Sequence, residues 1–293
     1  MRNLPLPRLL KRALFFSLLV QLLACCAWAQ QGSAPAPPPP PPGSNITPDY
    51  APLNPALPTL FVAGDSTAKN GKDLGWGDHL ASFFDTSRIN VENRARGGRS
   101  SRSFYHEGLW NQLLARLKPG DFVLIQFGHN DGGAVDNPKG RGSLPGLGDE
   151  TQTVTRPDGQ QEVVHTYGWY VKKYISDTRA KGATPILLTV TVRNIWTDGK
   201  VERAMGHYDE WDKQIAAAEQ VPLVDVTNIV ADEYERMGQA KVAPLYPIDH
   251  THSSPAGAKL NAAAVVAGLK CRKIEPLVND LSAKGKAVQP KCE

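Results

Sequence analysis

Several features that mark particular protein classes are scarce or absent here. Only four of the 293 residues are cysteines, and neither a Cys-x-x-Cys pair nor a His-Glu-x-x-His segment occurs, so no recognised zinc motif is present. The formal charge of +4 is too small, and its cations too scattered, for a nucleic-acid-binding surface. The Gly-x-Ser-x-Gly turn of α/β-hydrolases is also missing. These absences argue against three common function classes.

The first 29 residues have the pattern of a signal peptide. Basic residues occur within positions 2–12, a mostly apolar run follows at 13–24, and Ala27-Trp28-Ala29 matches a small-x-small cleavage site. The apolar run is shorter than the ~20 residues that span a bilayer, which disfavours a membrane anchor. We therefore expect an exported protein, periplasmic or extracellular. Attachment of a lipid at Cys25 is an alternative, because residues 22–25 loosely resemble a lipobox.

A proline-rich spacer precedes the part of the chain that has periodic patterning. Residues 30–58 have no apolar period, and their prolines favour an extended, solvated and disordered linker. One domain is predicted over residues 59–293, with no internal repeat. Its two cysteines, Cys271 and Cys292, can oxidise after export, so a disulfide is expected to close the C-terminal tail.

Short apolar runs alternate with helical patterns throughout this domain. Strands are predicted at 59–64, 89–95, 121–128, 184–192 and 221–226, and helices at 76–85, 109–117, 167–182, 207–220, 227–238 and 254–270. Thr227 and Ser254 are the expected caps of the last two helices. This alternation predicts a parallel sheet covered on both faces. Residues 132–166 break the rhythm and are interpreted as a long polar loop, often a functional lid.

Three polar segments follow predicted strands, at the sheet edge where ligands collect. They are Gly64-Asp65-Ser66, residues 95–102 and residues 128–131. Ser66 is a candidate nucleophile if an imidazole accepts its proton. The ordinary alternative is that Ser66 or Thr67 caps a helix. Taken alone, this motif favours the cap.

A second pattern near the C-terminus favours the nucleophile. Asp249 and His252 are three residues apart, a spacing that brings a carboxylate to an imidazole within one turn. His250 competes for the role of the base, and the stretch 249–252 also contains metal-ligand types, although no further ligand is evident. Gly98 and Asn130 could donate hydrogen bonds to an oxyanion, together with the Ser66 amide. Their ordinary alternatives are a turn residue and a cap.

Together these residues resemble the sequence blocks of the SGNH (GDSL-type) hydrolases. Five separated stretches, among them GDSTAKNG, FGHNDGG and PIDHTHSSPAG, are similar to the rhamnogalacturonan acetylesterase branch. The resemblance covers roughly residues 59–270. It implies a flavodoxin-like three-layer α/β/α fold without a cofactor or metal. It also implies a Ser66, His252 and Asp249 triad, with an oxyanion hole formed by Ser66, Gly98 and Asn130.

The resemblance further implies a serine esterase that removes acetyl groups from an acetylated polysaccharide. From the leader we expect this enzyme to be secreted, and we expect it to be a monomer. Arg99 and Arg102 are expected to bind carboxylates of a pectic backbone, and Trp76 is expected to stack on a sugar ring. Internal ion pairs of the arginines and a core position for the tryptophan are the alternatives. Two other functions stay open: an esterase or lipase acting on other esters, and a carbohydrate-binding protein without activity.

Overall fold

The computed structural model describes residues 52–203 and 206–292. The strands are β1 (Thr59–Gly64), β2 (Asn90–Asn93), β3 (Phe122–Gln126), β4 (Thr151–Thr155), β5 (Gln161–His165), β6 (Thr184–Leu188), β7 (Trp196–Thr197), β8 (Lys200–Val201) and β9 (Leu223–Val224). The α-helices are α1 (Trp76–His79), α2 (Ser101–His106), α3 (Leu109–Leu114), α4 (Tyr167–Ala180), α5 (Tyr208–Ala218), α6 (Val226–Met237), α7 (Gln239–Val242), α8 (Pro255–Cys271) and α9 (Ala283–Ala287). Short 3₁₀ helices occupy Leu80–Phe83, Ala243–Leu245 and Leu277–Asp280.

The central sheet has five parallel strands in the order β2-β1-β3-β6-β9. In β1, Leu60 lies opposite Val91 on one side and Phe122 on the other. This order is that of a flavodoxin-like sheet, so the predicted fold class is confirmed. The strand order reverses between β1 and β3, and a ligand crevice is expected outside the carboxyl ends of these two strands.

The apolar core lies on both faces of this sheet. Leu60 and Val62 pack into one cluster with side chains of α6 and α8, whereas Phe61 and Ala63 pack into a second cluster with side chains of α3 and α4. All four are fully buried. Because successive side chains of a strand point to opposite faces, a strand between two helical layers is apolar at every position. The alternation of strands and helices had predicted this coverage of both faces of the sheet.

Element boundaries differ from the predictions in a few places. The helix predicted at 76–85 is a short α-helix that continues as a 3₁₀ helix, and the last strand of the sheet has only two residues. Helix α6 is capped by Asp225, which accepts from the Asn228 N–H, so the prediction of Thr227 as its cap is wrong. Ser254 caps α8 as predicted, accepting from the Gly257 N–H at 3.3 Å.

The segment 132–166 is not a structureless loop. It contains an antiparallel hairpin in which Thr153 pairs with Val163 around a turn at Pro157-Asp158-Gly159. Val154 and Val164 are buried on its inner face, while most of the other positions are exposed. Because the outer face is polar, these strands contain few apolar residues, and their alternation was not recognised. The Asp-Gly pair is a strong hairpin signal that could have revealed it.

The two ends of the domain are tied to its body. The Asn54 N–H donates to Asn90 Oδ1 at 3.1 Å and Lys118 Nζ donates to the Leu57 carbonyl, so the end of the predicted spacer belongs to the domain instead. Cys271 and Cys292 form the expected disulfide, with 5.4 Å between their Cα atoms. The predicted leader and most of the spacer lie outside the described residues. Within the described ranges, no helix combines the length and hydropathy needed to cross a membrane.

Candidate active site

Ser66 lies in a single turn directly after β1. The turn is shaped by Asp65, a buried carboxylate whose Oδ1 accepts from the Thr67 N–H and the Thr67 hydroxyl, both at 2.8 Å. Helix α1 begins only after Gly75 and has no side-chain cap, so the interpretation of Ser66 or Thr67 as its cap is wrong. The Ser66 side chain instead faces a histidine from the other end of the chain.

That histidine is His252, whose Nε2 lies 2.9 Å from Ser66 Oγ. Its other ring nitrogen, Nδ1, lies 2.7 Å from Asp249 Oδ2. A carboxylate only accepts hydrogen bonds, so Nδ1 carries the proton and Nε2 of the neutral ring accepts from the serine hydroxyl. His250, the competing candidate, is exposed, and its ring bonds to no described residue. The structure therefore brings Ser66, His252 and Asp249 together in the order that a proton-transfer chain requires.

Asp249 is held in its ionised form. Partial burial opposes its charge, but the hydrogen bond from the His252 ring and those from the N–H groups of His252 and Thr251 outweigh that effect. Together they lower the pKa of Asp249 to about 2. The carboxylate is therefore charged at any pH at which the neutral imidazole can act as a base. A carboxylate in this position can stabilise a positive charge on the imidazole ring.

The predicted oxyanion donors are the N–H groups of Ser66 and Gly98 and the side chain of Asn130. Neither the Ser66 N–H nor the Gly98 N–H donates to any described residue, so both are free to bind a ligand oxygen. Gly98 has φ of 74°, a left-handed conformation that glycine adopts without strain. A Cβ at the adjacent Gly97 would lie 3.8 Å from Ser66 Cβ, which places this loop beside the serine.

The Asn130 side chain is fixed by partners at both ends. Its Nδ2 donates to the Arg99 carbonyl at 3.0 Å, and its Oδ1 accepts from Arg141 Nη1 at 3.3 Å. An amide nitrogen has two N–H donors, so one remains available after the bond to Arg99. These two bonds fix the orientation of the Asn130 amide, and a fixed orientation is what an oxyanion donor requires.

Two titratable residues flank Asn130 and support its loop: Asp131, which is fully buried, and His129, which is partly buried. Burial raises the pKa of Asp131 to about 7, although its bonds from the Ser101 hydroxyl and N–H oppose the shift. Burial likewise lowers the pKa of His129, whose Nε2 lies 3.2 Å from Thr191 Oγ1. Asp131 joins the start of α2 to the end of β3, and thereby the loop of Gly98 to that of Asn130.

The predicted substrate contacts are corrected by the structure. Trp76 is fully buried, and its Nε1 donates to Gln126 Oε1, so it cannot stack on a sugar. Arg102 is 1% exposed and forms a two-pronged ion pair with Glu162, so it cannot reach a ligand carboxylate. Arg99 is partly exposed but donates two hydrogen bonds to Glu107. Each finds its partner 8 to 60 positions away, beyond the reach of local sequence patterns.

Arg141 is the residue at this site that the sequence did not reveal. It lies in the segment predicted as a loop, and its guanidinium contacts both Asn130 and the position of Gly98. No periodic pattern or spaced motif includes Arg141, and the sequence shows only a basic residue within a polar segment. Among the described residues, no group of three or more His, Cys, Asp or Glu side chains could hold a metal ion.

The sequence is similar to known esterases over most of its length. It is 35% identical to a rhamnogalacturonan acetylesterase of Emericella nidulans over 214 residues, which are 73% of this chain and 85% of that protein. It is 32% identical to a probable rhamnogalacturonan acetylesterase of Bacillus subtilis over 220 residues, 72% of this chain and 92% of that one. The similarity thus includes nearly all of both relatives.

The fold is also similar to a solved structure. The crystal structure of the Bacillus subtilis protein YxiM superposes with a TM-score of 0.61 at 26% identity and matches 76% of this chain. This chain spans 58% of that protein's length. Residues 62–260 match the model of the GDSL-like lipase/acylhydrolase family, a range that contains every residue of the site described above. The chain belongs to the GDSL-like lipase/acylhydrolase family and is a carboxylic ester hydrolase.

Proposed function

We propose that the protein is an exported serine esterase that removes acetyl groups from a plant cell-wall polysaccharide, acetylated rhamnogalacturonan in particular. The observation that carries this proposal is the unbroken hydrogen-bond chain from Asp249 through His252 to Ser66, with distances of 2.7 and 2.9 Å. A serine hydroxyl is a weak nucleophile until a neighbouring base accepts its proton. In this chain of bonds, His252 is that base and Asp249 orients it.

The reaction proceeds by two acyl transfers. Ser66 Oγ attacks the acetyl carbonyl while His252 Nε2 takes the hydroxyl proton, and the sugar oxygen leaves with that proton. Water then attacks the acetyl group on Ser66 by the same route and releases acetate. In both steps the negative oxygen accepts hydrogen bonds from the Ser66 and Gly98 N–H groups and from Asn130 Nδ2.

The choice of a polysaccharide substrate rests on two observations. Both curated relatives described above are named as rhamnogalacturonan acetylesterases, certain or probable. In addition, Val163 and Ile248 are the large apolar side chains that remain exposed in the described part of the chain, so no continuous apolar surface surrounds the site. A lipid ester would need such a surface. A polar crevice at the carboxyl edge of the sheet suits a sugar chain.

Export is proposed from the first 29 residues, with their basic start, apolar run and small-x-small site. The disulfide between Cys271 and Cys292 is consistent with an oxidising compartment. A secreted or periplasmic location would give the enzyme access to a polymer that does not enter cells. The part of the proline-rich stretch that precedes Asn54 would then separate the leader, or a lipid on Cys25, from the domain.

Acetate release from a panel of esters tests the proposal. The panel contains acetylated rhamnogalacturonan, acetylated xylan and short-chain lipid esters, each assayed with the wild type and with Ser66→Ala. We expect the highest kcat/KM on rhamnogalacturonan and a loss of ~10⁴-fold or more in the variant. Ser176→Ala is the matched control, because this serine is exposed and its hydroxyl donates to the Lys173 carbonyl of its own helix.

Each arm of this experiment can refute a different part of the proposal. Near-normal turnover by Ser66→Ala would exclude Ser66 as the nucleophile. Preferential hydrolysis of lipid esters or of xylan would replace the substrate while keeping the chemistry. No acetate from any ester would identify a binding protein that has kept the fold.

A further inference from the structure

A cationic cavity adjoins the proposed oxyanion hole. It has a volume of about 210 Å³ and lies between Asn130 and the segment 132–142. Its lining includes Lys139 and Arg141 together with His129 and Asn137, and it contains no carboxylate. A cavity of this composition, next to the reacting atoms, is suited to hold a negatively charged part of the substrate.

The guanidinium of Arg141 lies directly against two of the oxyanion residues. Its Nη1 is 3.3 Å from Asn130 Oδ1. A Cβ atom at Gly98 would lie 2.6 Å from its Nη2, so the guanidinium contacts the backbone of Gly98 where any larger residue would collide. An anion bound by this guanidinium would therefore lie beside the ester carbonyl that Ser66 attacks.

Lys139 and Arg141 are the two cations of the cavity. Among the described residues, no carboxylate forms an ion pair with Arg141 or with Lys139. The neighbouring arginines differ, because Arg99 is paired with Glu107 and Arg102 with Glu162. Arg141 has five N–H donors, and Asn130 is its one hydrogen-bond partner in the described part of the chain. The remaining donors are available to a ligand.

We propose that this cavity, formed by His129, Asn130, Asn137, Lys139 and Arg141, binds the carboxylate of a uronic acid residue of the substrate. Arg141 binds the carboxylate with its planar fork of N–H donors, and Lys139 adds a second positive charge. The inference rests on the proposed function and adds to it: Arg141 and Lys139 determine specificity for an acidic polysaccharide. They take the role that the sequence had indicated for Arg99 and Arg102.

Methyl esterification of the substrate carboxylates gives a direct test. Acetylated rhamnogalacturonan oligosaccharides are assayed for acetate release before and after their carboxylates are converted to methyl esters. The measured quantity is the ratio of kcat/KM for the acidic form to that for the neutral form. Loss of charge-assisted hydrogen bonds lowers binding by about 10- to 100-fold, so the wild-type ratio is expected in that range.

Variants then assign this preference to the cavity. Arg141→Gln is expected to lower the ratio at least tenfold, and Lys139→Gln to lower it less, because Arg141 adjoins the oxyanion residues. Arg141→Lys keeps the charge without the fork and should give an intermediate ratio. Lys200→Gln is the matched control, since Lys200 is an exposed lysine of β8 that forms an ion pair with Glu235 of α6. Each ratio compares two substrates within one variant, so a change in the basal rate cancels.

The outcomes separate this inference from the proposed function. A wild-type ratio near one overturns the cavity even if no variant folds, and an unchanged ratio in Arg141→Gln does the same. In either case, release of acetate would still support the proposed esterase function. Failure to release acetate from either form of the oligosaccharide would instead overturn the proposed function itself.

Discussion

Replacing Arg102 with methionine would remove the cation that joins helix α2 to the segment 132–166, both to its first residues and to its hairpin. Arg102 Nε and Nη2 donate to the Glu162 carboxylate at 2.7 and 2.9 Å. Its Nη1 donates to the carbonyls of Val135 and Gly142 at 2.6 and 2.7 Å. Methionine fills similar space but provides none of these donors. The variant therefore leaves Glu162 buried without its partner.

The magnitude follows from the burial of this pair. Removing one member of a buried ion pair costs about 3–5 kcal/mol, because the remaining charge keeps its desolvation penalty. His106 offers little compensation, since its Nδ1 lies 3.7 Å from Glu162 and burial lowers the pKa of its ring. Whole domains have about 5–15 kcal/mol of stability, so this loss is a large fraction. The double variant Arg102→Met/Glu162→Met should recover most of it.

Urea unfolding followed by circular dichroism measures these free energies, with kcat/KM measured in parallel. Arg102→Met should lose stability and also activity, because the segment that it anchors carries Arg141. A variant that unfolds with a loss below about 1 kcal/mol would refute the structural role given to the buried pair. A rise in KM for acidic substrates without any loss of stability would restore Arg102 as a substrate contact.

Three further substitutions test the site. Asn130→Ala should lower kcat by about 10²–10³-fold with little change in KM, as measured by acetate release; a loss below tenfold would make Asn130 structural. Gly98→Ala should cost about 1–2 kcal/mol in urea unfolding and displace Arg141, because φ is 74° and its Cβ would meet Nη2; wild-type stability and kcat/KM would contradict this. The folded-state pKa of Asp131, about 7, exceeds its unfolded value of 3.8, so its contribution to stability falls as pH rises between them. Asp131→Asn lacks this titration, and between pH 5 and pH 9 the wild type should lose on the order of 3 kcal/mol relative to it; parallel unfolding curves at the two pH values would refute the shift.

The sequence predicted best those elements whose signals lie within their own residues. Strand β1 is buried on both faces, and its apolar run is typical of such a strand. Helix α8 carries its own start signal in Ser254 and Pro255. The hairpin of β4 and β5 was missed because only one of its faces is buried, and its exposed threonines and glutamines read as a loop.

The candidate site shows the same division. Asp249 and His252 meet within one turn, so their spacing was informative, and the sheet edge brings Ser66 to them. The substrate contacts could not be predicted, because burial decides whether a side chain is available. Trp76 is buried and bonded to Gln126, and Arg102 is buried and paired with Glu162. Neither partner is near in sequence. Arg141 is available because, in the described part of the chain, no carboxylate forms an ion pair with it.

The acid and the base of the proposed triad lie on the same short turn, whereas the nucleophile follows β1. Within the turn, the Asp249 carboxylate accepts hydrogen bonds from both the ring and the N–H of His252, so the two residues are fixed relative to each other. Its ties to the rest of the domain include a bond from the Asn194 N–H to the His250 carbonyl. Alignment of the triad therefore reduces to a single coordinate, the gap between Ser66 and His252. A shift of this turn that lengthened the gap would break the hydrogen bond between His252 and Ser66, on which the proposed proton transfer depends.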